Sequence, residues 1–170
     1  MKINIRKGVF ETNSSSCHSI SLGGNDFHMP NIHENCINIE CDEFGWETEK
    51  FNDFYTKLSY LLTYIFSTST LDSFEKLIPF IEHDNTLNIE AFFEKYPDKS
   101  DLFEKVTEVI DETIGEQIKL KVRVKDNFNP FGYIDHQSID IAHDILRNKK
   151  DIKKFLFYKD SILYTDNDNY

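Results

Sequence analysis

Residues 116–125 read EQIKLKVRVK, in which Ile118, Leu120, Val122 and Val124 alternate with Lys119, Lys121, Arg123 and Lys125. A period of two puts one set on each face, so the segment predicts a half-buried strand with an apolar inner face and a wholly basic outer one. Immediately before it the period is different. Leu102, Phe103, Val106, Val109, Ile110 and Ile114 recur at steps of three and four, which predicts a helix opened by Ser100 and stopped by Gly115. A chain that changes period this sharply must place helices and strands in adjoining blocks, and that implies an α+β fold.

The same two periods organise the rest. Ile3 with Ile5, Ile20 with Leu22, and Ile37 with Ile39 mark three short strands in the first third. The ETNSSSC tract between the first two favours turns, and Gly23-Gly24-Asn25 breaks the chain. CDEFGWETE reads as an acidic loop. Phe51, Phe54, Tyr55, Leu58, Leu61, Leu62 and Ile65 then form an amphipathic helical stripe. A second helix is expected over 71–81, capped by Ser69 or Thr70 and ended or kinked by Pro79. A third is expected over 89–96, stopped by Pro97. Beyond the basic strand come a turn at 127–132, a helix from a Ser138 cap to about Arg147, a short helix, and a strand at 161–165. The expectation is one α+β domain over 1–170. Its strand/loop part spans 1–45, its helical part 50–115, and its strand–helix–strand part 116–170. Strands from both ends form a sheet packed against a central block of about four helices.

At 170 residues the chain can bury a sizeable core. Its formal charge of −11 is uneven: residues 26–116 hold 21 acids against 6 bases, a net −15, and the remainder holds 9 acids against 13 bases, a net +4. Non-specific binding to nucleic acid or to an anionic membrane depends on cationic contacts, so this balance argues against both. The acidic middle suits either a basic partner or a solvated surface. The longest apolar stretch, around 60–66, is far short of a membrane span, and MKINIRKG is not followed by the apolar run of a secretory signal. Three cysteines are too few for a disulfide scaffold and fit a reducing cytoplasm.

Two constellations have the residue types of chemistry. His33, Cys36 and Cys41 (HENCINIEC), with Cys17 and His18 upstream, supply imidazoles and thiols of the kind that hold zinc in a tetrahedron. On a flat strand, positions 36 and 41 face opposite ways, so both ligate only if the segment bends. The other reading makes Cys41 a small core residue and leaves Cys36 free. Cys17 beside His18, or Ser14, Ser15 and Ser16 with Asp135 and His136, offers nucleophile-and-base types. Neighbours on a strand point apart, and no strand–turn–helix elbow or phosphate-cradling loop accompanies them. No catalytic residue is assigned. His83 and His143 read as helix-surface residues and Trp46 as a buried anchor. The bases of the strand face and of the tail (Arg147, Lys149, Lys150, Lys153, Lys154) read as partners for the acidic helices or as solvated charges.

Three blocks carry a resemblance: RKGVFETNSSSCHSI (6–20), CDEFGWETEKFNDFYTKLSYLLT (41–63) and GYIDHQSI (132–139), together roughly a quarter to a third of the chain. They resemble a family of small phage and prophage proteins with an RxGVFETNSSSTHS-like start and later FGWE and DHQS blocks. Some small acidic members inhibit the RNA-guided nuclease of type II CRISPR systems, so the resemblance implies an anti-CRISPR protein in the cytoplasm of an infected bacterium. Such a protein is a stoichiometric binder and not an enzyme. Cys17 stands where relatives have Thr, so a metal site shared with them would use His18, His136 or nearby acids. The residues expected to hold one structural zinc are Cys36, Cys41, His33 and His18, with His136 and Cys17 as alternatives.

A CRISPR nuclease holds its heteroduplex in a positively charged channel. The acids expected to meet such a surface are Asp42, Glu43, Glu47, Glu49 and Asp53, or Glu104, Glu108, Asp111 and Glu112. The competing classes are another phage host-takeover or structural interaction protein, and a metal- or cysteine-dependent enzyme.

Overall fold

The structure, a computed structural model, describes residues 3–5, 16–45, 48–67, 74–125, 129–134 and 139–167, with backbone alone for 3–5, 16–17, 139 and 166–167. In chain order the elements are β1 (Ile3–Ile5), β2 (Ser16–Leu22), β3 (Cys36–Glu40), β4 (Glu43–Phe44) and β5 (Glu49–Phe51), then α1 (Phe54–Phe66), α2 (Ile89–Lys95) and α3 (Ser100–Ile114). They continue with β6 (Lys119–Arg123), β7 (Tyr133–Ile134), α4 (Ile139–Leu146), α5 (Lys149–Phe157) and β8 (Ile162–Asn167). The fold is α+β.

Strands from both ends do share a sheet. Its order is β1-β2-β8-β5, every pair antiparallel. Ile20 and Phe51 flank Leu163 from its two sides, so their apolar side chains line one face against the helices. The expectation of one sheet needs correction, however. β3 pairs in parallel with β6, matching Ile37 to Leu120 and Ile39 to Val122, and β4 pairs in parallel with β7. Parallel neighbours need a long crossover, and the helical block between them supplies it. The alternation at 118–124 is as expected: Ile118, Leu120, Val122 and Val124 are buried, and Lys119 and Arg123 are exposed.

α1 is the central element. Asp53 caps it, its side chain accepting from the Thr56 N–H at 2.8 Å, so the helix begins at Phe54 and Phe51 belongs to β5. The sequence predicts a stripe, yet the helix is buried nearly all round. Its polar residues are buried because each has a partner. Lys57 Nζ donates to the carbonyls of Tyr158 (2.9 Å) and Ser161 (3.3 Å). Ser59 donates to the Glu40 carbonyl (2.7 Å), and Thr63 Oγ1 accepts from the Asp42 N–H (3.0 Å). These bonds satisfy buried polar groups and seat β3 and β4 against the helix.

The expected helix over 71–81 is two 3-10 turns where it is described, Phe74–Lys76 and Ile78–Phe80. Pro79 has no N–H for an α-helical bond and blocks a continuous helix. Its expected caps, Ser69 and Thr70, lie outside the described residues, as do Trp46, residues 127–128 of the expected turn, and Ser138.

Two lysines close helix ends. Lys99 Nζ donates to the carbonyls of Tyr64 (2.5 Å) and Ser67 (3.0 Å) at the end of α1, and Lys105 Nζ to those of Leu146 (3.1 Å) and Arg147 (3.4 Å) at the end of α4. Phe66 anchors an aromatic cluster with Phe92, Phe93, Phe103 and Phe131, ring centroids 5.3–5.7 Å away.

Candidate interaction groove

α2 and α3 are brought together by chain punctuation. The Asn88 side chain accepts from the Ala91 N–H at 3.0 Å and starts α2, and Pro97 prevents it from continuing. A single 3-10 turn, Pro97–Lys99, then leads straight into α3. At the far end Gly115 takes the left-handed conformation (φ +84°), and Asp111 Oδ1 accepts from the Ile118 N–H at 2.8 Å. That bond fixes where β6 leaves α3.

Between the three elements lies an open groove of about 640 Å³. Ile89 and Phe93 from α2, Phe103 from α3, and Ile118 and Leu120 make its apolar floor. Phe93 and Phe103, 5.4 Å apart, are the partly buried outer surface of the aromatic cluster. The rim is acidic: Glu90 and Glu94, one turn apart on α2, face Glu104 and Asp111 of α3. Among the described residues no cation pairs with Glu90, Glu94 or Glu104.

The other acids expected as contacts are differently placed. Glu108 and Glu112 both hold Lys149 of α5, at 3.1 and 2.7 Å, so a tail base pairs with an acidic helix as expected. Asp42 holds Lys125 at 2.9 Å. Glu43 and Glu49 are exposed on β4 and β5, strands within the segment read as a loop. Asp53 is the α1 cap, and Glu47 lies outside the described residues. Sequence reasoning found Glu104 and Asp111 but missed Glu90 and Glu94. Their spacing of four on an apolar-faced helix was the available signal.

The residues proposed for zinc do not assemble. His33 and Cys36 are joined by a backbone bond (3.1 Å) at the start of β3. Cys41 lies beyond its other end, roughly 16 Å away for an extended chain. Cys41 is fully buried beside Thr63, and burial pushes its thiol up to about 12. His18 is buried on β2, its Nδ1 3.4 Å from the Tyr60 hydroxyl. Among the described residues no group of three or more His, Cys, Asp or Glu is placed to hold a metal ion. The alternatives, His136 and the Cys17 side chain, lie outside the described residues, as do Ser14, Ser15 and Asp135.

Lys57 is a buried cation that the sequence did not reveal. Burial lowers its ammonium to about 8, opposed by the charges of Asp53 and Asp160. Asp160 is itself held by the turn after β2. Desolvation raises its carboxyl, but the N–H groups of Gly24, Asn25 and Asp26 outweigh this and leave it below the usual carboxylate range.

No protein-family model, curated protein or solved structure matches the chain. Among the described residues no helix is long and apolar enough to cross a membrane.

Proposed function

We infer that the protein is a phage-derived acidic inhibitor that binds a type II CRISPR-Cas effector nuclease one-to-one, without turnover, and blocks loading or cleavage of target DNA. The observation that carries the binding part is the groove rim. Glu90, Glu94 and Glu104 are held close together around an apolar floor with no cation of their own among the described residues. Like charges gathered this way gain from a basic partner surface. The nuclease as partner comes from the resemblance of the 6–20, 41–63 and 132–139 blocks. The reading needs no metal and assigns no catalytic group.

Titration against a panel of type II nucleases in a DNA-cleavage assay tests it. The expected result is inhibition that saturates near one equivalent and weakens as salt rises. Inhibition at trace amounts would mean turnover and remove the binder. No effect across the panel would remove the nuclease, and capture from a bacterial lysate would then identify the partner of a different host-takeover protein.

A further inference from the structure

We propose that the α2–α3 groove receives an amphipathic helix of the partner, its aliphatic or aromatic stripe on the Phe93–Phe103 floor and its Lys or Arg residues against the acidic rim. The proposal rests on the binder reading and specifies what the bound surface looks like.

Charge complementarity selects the flanking residues. Three acids without a cation among the described residues surround the opening, while the neighbouring acids Glu108 and Glu112 are already engaged by Lys149. The floor selects the centre. Partly buried aromatic rings offer dispersion and area burial to an apolar side chain, and the acidic rim repels a phosphate.

The backbone selects the helix over an added strand. An extended peptide needs a free sheet edge. β6, the strand beside the groove, has β3 on one side. Its other side is met by residues 85–87, through Leu87 N–H to the Val122 carbonyl (2.8 Å) and Val124 N–H to the Asn85 carbonyl (2.9 Å). With β3 along one edge and 85–87 covering the other at 122–124, the stretch of free edge left beside the groove, around Leu120, is too short for an added strand. Docking therefore runs through side chains, and a helix presents its stripe without unpaired backbone groups.

The test uses a fluorescent synthetic peptide of Leu and Lys, roughly 18 residues in an amphipathic helical pattern. A scrambled peptide of the same composition is the control, and anisotropy is read on the full chain. The amphipathic peptide is expected to bind about tenfold or more tighter than the scrambled one. Glu94→Lys with Glu104→Lys, or separately Thr107→Arg on the groove wall, should weaken it by a similar factor at unchanged circular dichroism and melting temperature. Equal binding of both peptides, or indifference to these variants, overturns the proposal. Self-association in sedimentation that Thr107→Arg abolishes would assign the groove to a second copy and also overturn it. Peptide binding without nuclease inhibition would sustain the groove and remove the nuclease, whereas inhibition untouched by the variants would do the reverse.

Discussion

Gly115 and Gly132 share the left-handed conformation, at φ +84° and +69°, but not their surroundings. A Cβ on Gly115 meets nothing within 4 Å, whereas one on Gly132 would lie 2.1 Å from the Asp42 carbonyl oxygen, the same atom that accepts from the Tyr133 N–H. Gly115→Ala should therefore cost only the conformational strain, about 1 kcal/mol. Gly132→Ala should cost about 3 kcal/mol or more, because backbone must move as well. Urea unfolding of the two variants separates strain from clash, and equal losses would place Gly132 in a looser turn than described. Lys57 makes a second residue-scale prediction. Its ammonium titrates near 8 when folded and near 10.5 when unfolded, so the folded state sheds its proton first. Stability should rise with pH between those values and be lost again as pH falls through 8. Cys41, raised to about 12 by burial, acts oppositely from pH 9 upward, leaving pH 8 to 9 as the window dominated by Lys57. Lys57→Met should flatten the urea midpoint across that window, and a persistent rise would assign it to another group. These residues also mark where sequence reading stopped. Lys57, Ser59 and Thr63 read as the polar side of a stripe because their partners are carbonyls of Tyr158, Ser161, Glu40 and Asp42, far from them along the chain.

Elements were legible in proportion to their own punctuation. α3 has Ser100 at its start and Gly115 past its end, and β6 has strict alternation, so both stand where the pattern put them. β4 and β5 have two and three residues and are strands only because β7 and β8 lie alongside, a fact no local pattern carries. The groove was half visible. Glu104 and Asp111 were identifiable as acids of α3, but the floor depends on how the Pro97 turn sets α2 against α3. Phe92 holds that setting. It is fully buried against Phe66, Phe80, Phe93, Tyr96 and Phe131. Phe92→Ala should cost about 3–5 kcal/mol and release α2, removing one wall of the groove. Hydrogen exchange checks it: amides of 89–95 should lose protection before those of β2 and β8, and uniform loss would mean that α2 is not a separable element.

For the whole molecule, a net −15 over residues 26–116 is only partly answered by the bases around it, with Lys149, Lys125 and Lys121 as direct partners among the described residues. Self-repulsion should make the fold more stable in salt, with a urea midpoint that climbs as ionic strength rises. A midpoint that falls would mean that these ion pairs outweigh the repulsion. The strand order carries a consequence in time. β8 lies between β2 and β5, so Ile20 meets Leu163 across most of the chain's length, and the sheet has no centre until β8 arrives. Helices with local contacts can form early, but the step that closes the sheet joins segments far apart in sequence, and such closures are slow. Until then β2 and β5 present unpaired edges, so the interval before β8 docks is when an emerging chain is most exposed to aggregation and to capture by chaperones.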